Sequence, residues 1–202
     1  KTWFLYEDYP MTDVDKNIKR GFDVLFSFFG LLLFGVFILL LAFISKIFIK
    51  GNGFFKQKRV GQFGELFILY KIETIHPKER KKDKQFITKI GKLIRKLKFD
   101  EFPQLWNVLQ GKMSFVGPRP DVPGYADKLK GEAEKIISIK PGITGPATLF
   151  FRNEEKLLQN QLYPEKYNRE VIWPQKIAMN IKYIDEYSFR KDMYYIYKTL
   201  FL

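Results

Sequence analysis

Polar and apolar positions along this chain fall into zones of different period. From Val24 to Ile44 no residue is charged, and only Ser27, Gly30 and Gly35 interrupt the apolar run. At about 1.5 Å per residue a helix of that length reaches roughly 30 Å, the thickness of a bilayer's hydrocarbon core. Residues 1 to 12, ahead of it, are aromatic-rich and carry no clear period. After it, Phe54 to Arg59 and Leu66 to Ile72 read as strands around Val60-Gly61-Gln62-Phe63-Gly64, which predicts a hairpin with a glycine-containing loop. Beyond a charged loop from His76 to Gln85, Ile90, Leu93, Ile94 and Leu97 return at helical spacing behind Thr88, a suitable N-cap. A short helix from about Phe102 to Gln110 follows, with Pro103 in its first turn and Gly111 just past its end. Met113 to Val116 reads as a short strand and Asp121 to Ser138 as helix. Pro141-Gly142 opens a glycine-rich loop before Ala147 to Phe151, and roughly Glu165 to Leu202 is helical with many aromatics and lysines.

The flanks of the apolar run decide how it meets a membrane. Lys16, Lys19 and Arg20 precede it; Lys46, Lys50, Lys56, Lys58 and Arg59 follow it. Such flanks prefer the cytoplasmic side, and here both satisfy that preference. A re-entrant course is therefore expected over a spanning one, with Gly35 the only breaker near the middle. A cleaved signal peptide is not expected: the run is too long, and Ser45 to Lys50 offers no small-residue cleavage site. Asp23 reads as an interfacial residue or as a partner for Lys19 or Arg20. The expected fold class is α+β, a mostly helical membrane-associated domain. Its N-terminal membrane-inserted helix lies within residues 1–50, and 51–202 form a catalytic domain with the small β-hairpin and interfacial amphipathic helices. The C-terminal aromatics serve a core or an interface belt equally well, and both readings stand.

Charge and composition narrow the partners. The 202 residues hold 35 Lys+Arg against 22 Asp+Glu, a net +13, which calls for a polyanion: nucleic acid, anionic lipid or phosphorylated substrate. The apolar run favours lipid. With no Cys, disulfides and thiolate metal sites are excluded, and a reducing compartment fits.

Candidate chemistry concentrates between Arg95 and Pro120, where the adjacent acids Asp100 and Glu101 stand just ahead of a proline-initiated helix. The free amides and dipole of a helix start favour an anion. Asp100 as a plain helix cap is one reading of that spacing. The other is phosphoryl transfer. Adjacent carboxylates repel unless a cation lies beside them, and Arg95 is five residues earlier. One carboxylate can attack phosphorus while the second holds Mg²⁺. Arg119, with Pro118 and Pro120 on either side, is a rigid guanidinium suited to bidentate phosphate contact, or a structural surface arginine. Lys71, taken alone, is a solvated lysine at a strand end. His76 is given no catalytic role.

Several motifs in order carry a likeness. They are Lys19-Arg20-x-x-Asp23; Phe55-Lys56-Gln57-x-Arg59-Val60-Gly61; Tyr70-Lys71 with Thr74; and Gly91-x-x-x-Arg95. Then come Asp100-Glu101-x-Pro103-Gln104-Leu105-x-Asn107-Val108-x-x-Gly111, Met113-Ser114-x-x-Gly117-Pro118-Arg119-Pro120 and Lys140-Pro141-Gly142-Ile143-Thr144-Gly145. From about Lys19 to Thr199 the chain resembles the bacterial sugar transferase family, the monotopic phosphoglycosyl transferases of glycoconjugate assembly. The resemblance implies an enzyme at the cytoplasmic face of the bacterial inner membrane. It would move a phosphosugar from a UDP-sugar to polyprenyl (undecaprenyl) phosphate and release UMP. Asp100 would attack the sugar-bearing phosphorus, and the polyprenyl phosphate would then attack the aspartyl-phosphosugar. Glu101 would hold Mg²⁺, and Lys71, Arg95 and Arg119 would balance phosphate charge. Pro141, Gly142 and Thr144, with Arg152 and Asn153, match segments of the nucleotide-sugar pocket. Anionic membrane lipid is the further partner implied, and nucleic acid is not. Three positions depart from the family's pattern: Gly35-Val36 replaces a helix-breaking proline, Phe151 a glycine, and Asn180 a late Asp, while Asp192 retains a later one. Two other functions fit the charge and the acid pair: a non-enzymatic basic membrane-surface module, and a Mg²⁺-dependent hydrolase of nucleotide diphosphates.

Overall fold

The computed structural model describes residues 11–76 and 87–201. The aromatic N-terminal stretch up to residue 10, and the charged loop from residue 77 on, lie outside the described residues. Helix α1 spans Asp13–Phe48 and opens on a capping box. The Thr12 hydroxyl accepts from the Asp15 amide (3.1 Å), and the Asp15 carboxylate accepts from the Thr12 amide (3.0 Å). The antiparallel hairpin pairs β1 (Phe54–Val60) with β2 (Leu66–Ile72), from Phe54 opposite Ile72 to Val60 opposite Leu66. Helix α2 (Lys89–Lys96) starts where Thr88 accepts from the Gly91 amide at 3.0 Å.

Next come a 3₁₀ turn, Phe99–Glu101, and α3, Gln104–Leu109, shorter than the spacing predicts. A parallel pair follows that the sequence reading half missed: β3 (Ser114–Val116) lies beside β4 (Gly142–Thr144). Between them, Asp121 to Ser138 is not the expected helix. It forms turns and irregular chain with 3₁₀ segments at Ala126–Lys128 and Gly131–Ile137. Pro123, Gly124 and Gly131 break the period, and Gly124 and Gly131 take φ of 104° and 61°. The C-terminal third is helical as expected: α4 (Pro146–Phe150), α5 (Glu154–Gln159), α6 (Pro164–Tyr167), a π turn (Asn168–Ile172), α7 (Trp173–Asp185) and α8 (Phe189–Phe201).

One stripe of α1 faces the rest of the chain along nearly its whole length. Lys19, Asp23, Ser27, Ile38, Leu41, Ala42 and Ser45 are buried there. Ile38, Leu41 and Ala42 pack with Ile72 of β2 and Ile94 of α2. Where α3 crosses α1, a Cβ at Gly30 would sit 3.1 Å from Leu105 Cδ1, so glycine permits that approach. The opposite face, with Leu25, Phe29, Leu32, Leu33, Val36, Leu39, Leu40 and Phe43, is exposed. The break that a re-entrant course requires is absent: α1 runs unbroken through Gly35. A lone glycine costs a helix only about 1 kcal/mol, and no proline is present to interrupt it.

Polar contacts fasten both ends of α1 to the same body. Near its start, Lys19 Nζ lies 2.5 Å from Asp192 Oδ2 on α8, and Tyr183 donates to the other Asp192 oxygen at 2.5 Å. Arg20 donates to the carbonyls of Val108 (2.7 Å) and Leu109 (2.8 Å), closing the C-terminal end of α3. Asp23 is no interfacial residue; its Oδ1 accepts from Ser114 Oγ (3.1 Å) and the Phe115 amide (3.0 Å) of β3. Near the far end, Ser45 Oγ donates to the Glu73 carbonyl at 2.5 Å. Replacing Lys19 with Met would leave the Asp192 charge buried without its cation, so denaturant unfolding should show a loss of about 3–5 kcal/mol. Adding Asp192→Asn should recover part of it; an unchanged K19M midpoint would contradict the account.

Candidate active site

The acid pair sits on the 3₁₀ turn Phe99–Glu101, entered through Lys98 in a left-handed conformation (φ 59°). The turn points its two carboxylates into different surroundings. Glu101 Oε1 accepts from Lys71 Nζ at 2.8 Å and lies 3.4 Å from Arg119 Nη2. Burial alone would raise its pKa, but the charges of Lys71 and then Arg119, with the Lys71 hydrogen bond, outweigh it and hold Glu101 down at about 2. Asp100 has no such partner. It is 7% exposed, and its Oδ1 is buried with no hydrogen bond among the described residues. Burial, and next the charge of Glu101, raise its pKa, against lowering by Lys71, Arg95 and Lys98. Asp100 does not cap the following helix, whose N-cap is Pro103 with no side-chain hydrogen bond.

Cations reach this turn from four segments. Lys71 comes from β2 and is no solvated strand-end lysine, since its side chain is 17% exposed and ion-paired. Arg95 comes from the last turn of α2, and Arg119 from the loop after β3. The fourth, Arg59 on β1, is a residue the sequence reading left among the motif markers. Arg59 Nη1 donates to the Pro120 carbonyl (3.0 Å) and Nη2 to Gln57 Oε1 (2.7 Å), while its Nε is buried without a partner. Burial, then the charge of Arg119, lowers its pKa. Arg59, Lys71 and Arg119 line one narrow cleft with Leu69, Gln104, Pro120 and Gly142. The strand register held the signal for Arg59. Phe55 faces Lys71 and Arg59 faces Phe67, so the period of two puts Arg59 and Lys71 on one face of the hairpin.

The loop residues divide. Gly142 lines the cleft, and a Cβ there would fall 2.1 Å from the Gly117 amide nitrogen, so only glycine fits. Pro141 accepts from the Ser114 amide (2.9 Å) through its carbonyl, which sets the β3–β4 register. Thr144 is buried, with its hydroxyl 2.5 Å from that of Thr199 on α8. Arg152 and Asn153 are exposed between α4 and α5, and no side-chain hydrogen bond or ion pair among the described residues joins them to Glu101. Asp192 is taken up by Lys19 and Tyr183, whereas Asn180 is buried with Oδ1 unpartnered.

Comparison with known proteins bears on this arrangement. Residues 14–202 match the family of bacterial sugar transferases. The chain belongs to that family. An uncharacterised sugar transferase, EpsL of Bacillus subtilis, is 35% identical over 181 residues, which cover 87% of this chain and 82% of EpsL. The exopolysaccharide production protein ExoY of Rhizobium meliloti is 28% identical over 204 residues, 90% of this chain and 83% of that one. The UDP-glucose:undecaprenyl-phosphate glucose-1-phosphate transferase of Escherichia coli is 29% identical over 205 residues, 96% of this chain but only 42% of the longer protein.

Within the sugar transferase, the contrast between the two acids is testable by pH. Because the pKa of Asp100 is raised, its ionised form at neutral pH opposes folding, and that penalty disappears as pH falls through the raised pKa toward the ordinary 3.8. Asp100→Asn should therefore raise the neutral-pH unfolding midpoint by a few degrees, about 2–4 °C per kcal/mol for a chain of this size. The gain should vanish below pH 4, where wild-type Asp100 is itself protonated. A variant less stable than wild type at neutral pH would contradict this reading.

Proposed function

We propose that this sugar transferase moves a phosphosugar from a UDP-sugar to polyprenyl phosphate, with Asp100 as the group that carries it in between. The observation that supports this most is the orphaned Asp100 oxygen, buried beside a carboxylate already paired with Lys71 and Arg119. Arg59, Lys71, Arg95 and Arg119 supply more positive charge than Glu101 balances, as a diphosphate requires. The names of relatives agree: a UDP-N-acetylgalactosamine-undecaprenyl-phosphate N-acetylgalactosaminephosphotransferase of Aeromonas hydrophila is 30% identical over 193 residues.

The steps follow from these residues. The four cations hold the donor's diphosphate against the turn. Ionised Asp100 attacks the phosphorus that carries the sugar; an Asp100 O–P bond forms, the bridging P–O bond breaks, and UMP leaves with both of its electrons. An oxygen of the polyprenyl phosphate then attacks the same phosphorus, and the Asp100 O–P bond breaks. This yields polyprenyl-diphosphate-sugar and restores the carboxylate. Arg119, 47% exposed, can follow the phosphate's charge between steps, whereas Lys71 stays on Glu101.

The chemistry of the donor set fits Mg²⁺. Among the described residues no cluster of three or more ligating side chains exists, but Mg²⁺ commonly takes one or two carboxylates and leaves its other positions to water and phosphate oxygens. Glu101, with the free Asp100 oxygen beside it, would hold the ion, and bound there it would neutralise charge on the transferred phosphate.

The lipid acceptor gives the exposed face of α1 a role. Its outward strip suits hydrocarbon. Because Lys19 and Ser45 are both fastened to one body, a spanning α1 would draw that body, with its charged side chains, into the hydrocarbon. We read α1 as embedded in one leaflet with both ends at the cytoplasmic face. This keeps the expectation of flanks on one side, through lateral packing and without a bend.

Two measurements test this reading. Without lipid acceptor, rapid mixing with the accepted UDP-sugar should release at most one UMP per chain, and Asp100→Asn should release none. Continuous release would identify a hydrolase, and no release with any donor a binding module. The chain has no native Cys, so Asn17→Cys and Lys46→Cys can be labelled singly in sealed membrane vesicles. Both should react with an impermeant thiol reagent from the same side; reaction from opposite sides would overturn the one-leaflet placement.

A further inference from the structure

Next to the diphosphate cradle stands a wall of different chemistry, which begins at Asp121. Pro120 lines the cleft, and Asp121 follows it directly. Two contacts pin this corner: Arg59 donates to the Pro120 carbonyl (3.0 Å), and the Val60 amide donates to the Asp121 carbonyl (2.9 Å). Pro120 and Pro123 stiffen the backbone on either side. The Asp121 carboxyl is half-buried and makes no hydrogen bond or ion pair with any described residue. Burial pushes it up to about 6, against lowering by Lys176, Arg59 and Arg119, with Glu154 adding to the rise. Asp121 therefore feels both the two arginines of the cradle and a second charged pair.

That pair comes from α5 and α7. Lys176 Nζ donates to both Glu154 oxygens (2.8 and 2.7 Å) and lies 5.7 Å from the centre of the Phe151 ring. Two carboxylates repel a diphosphate, so this wall does not extend the phosphate site. A neutral polyol suits it. Carboxylates accept from hydroxyls, an ammonium donates to them, and an aromatic face offers apolar surface to the C–H side of a sugar ring. A polar group left unpaired until substrate arrives is also how a site rejects the analogue lacking the matching hydroxyl. The names of relatives show why such a reader is needed, since their donors share UDP and differ in the sugar, glucose in one and N-acetylgalactosamine in another.

We propose that Asp121, with the Lys176–Glu154 pair and the Phe151 ring, reads the hydroxyls of the donor's hexose and so selects which UDP-sugar this chain accepts. The inference rests on the transferase reading and adds a specificity determinant to it.

The test compares wild type with Asp121→Asn and Glu154→Gln. It measures kcat/KM for UDP-glucose, UDP-galactose, UDP-N-acetylglucosamine and UDP-N-acetylgalactosamine, and the calorimetric affinity of UDP alone. Asp121→Asn should change the preference between the best donor and its epimer by about tenfold or more, and leave UDP affinity within about twofold. Glu154→Gln, isosteric and partly exposed, should shift the preference in the same direction and gives the readout if Asp121→Asn folds poorly. A fall by one common factor for every donor would mean that Asp121 only balances Arg59 and Arg119, and would overturn the proposal. Weakened UDP binding would assign the wall to the ribose and overturn it as well. If wild type turns over no UDP-sugar yet binds UDP, the transferase reading fails first, and the selection proposal falls with it.

Discussion

Glu101 is the charge around which the site is built. Held ionised by Lys71 of the hairpin and Arg119 of the loop after β3, it joins elements that share no other ion pair among the described residues. The pairing has a consequence one residue away. With the nearest cation committed to Glu101, Asp100 is buried beside a like charge, with one oxygen free. A carboxylate in that position is poorly stabilised until something positive, or a phosphate's electrophilic phosphorus, comes to it. Pairing holds one acid ionised and in place, and leaves an oxygen of its neighbour free.

Long α1 links this chemistry to its surroundings. Arg20 closes the C-terminal end of α3 while the acid pair stands just before its N-terminal end, so the helix carrying the site is gripped by the apolar one. Asp23 fixes β3, which leads directly to Arg119, and Ser45 holds the carbonyl of Glu73, just past β2 and two residues after Lys71. Movement of α1 relative to the body would therefore disturb the segments that carry Lys71 and Arg119. Under the proposed transfer, a lipid acceptor approaching along the apolar face of α1 would meet a site braced against that same helix.

Much of this was legible in the sequence, because local chemistry and fold agree there. The hairpin, the Thr88 cap and the acid pair follow from turn residues, capping preference and charge spacing. What escaped depends on long-range contacts. The β3–β4 pair joins strands of three residues, too short to show a period, through backbone packing at Gly117 and Gly142. The stretch from Asp121 to Ser138 mimics a helix in composition, yet Pro123, Gly124 and Gly131 set a different path. Arg59 was hidden because its importance comes from the cross-strand register, and Asp121 because its neighbours arrive from α5 and α7. The flanking charges suggested that both ends of α1 share one side, and both ends are indeed fastened to one body; the interruption expected near Gly35 is absent, because no proline stands there.

Locating the phosphosugar on the protein tests the central claim most directly. The chain would be quenched in acid after reaction with its donor and no lipid, then cleaved and its peptides mapped by mass spectrometry. The account predicts a single phosphosugar adduct on Asp100, with Glu101 unmodified because Lys71 and Arg119 occupy it. An adduct on Glu101 or any other residue, or full turnover to lipid with no adduct at any time, would contradict it.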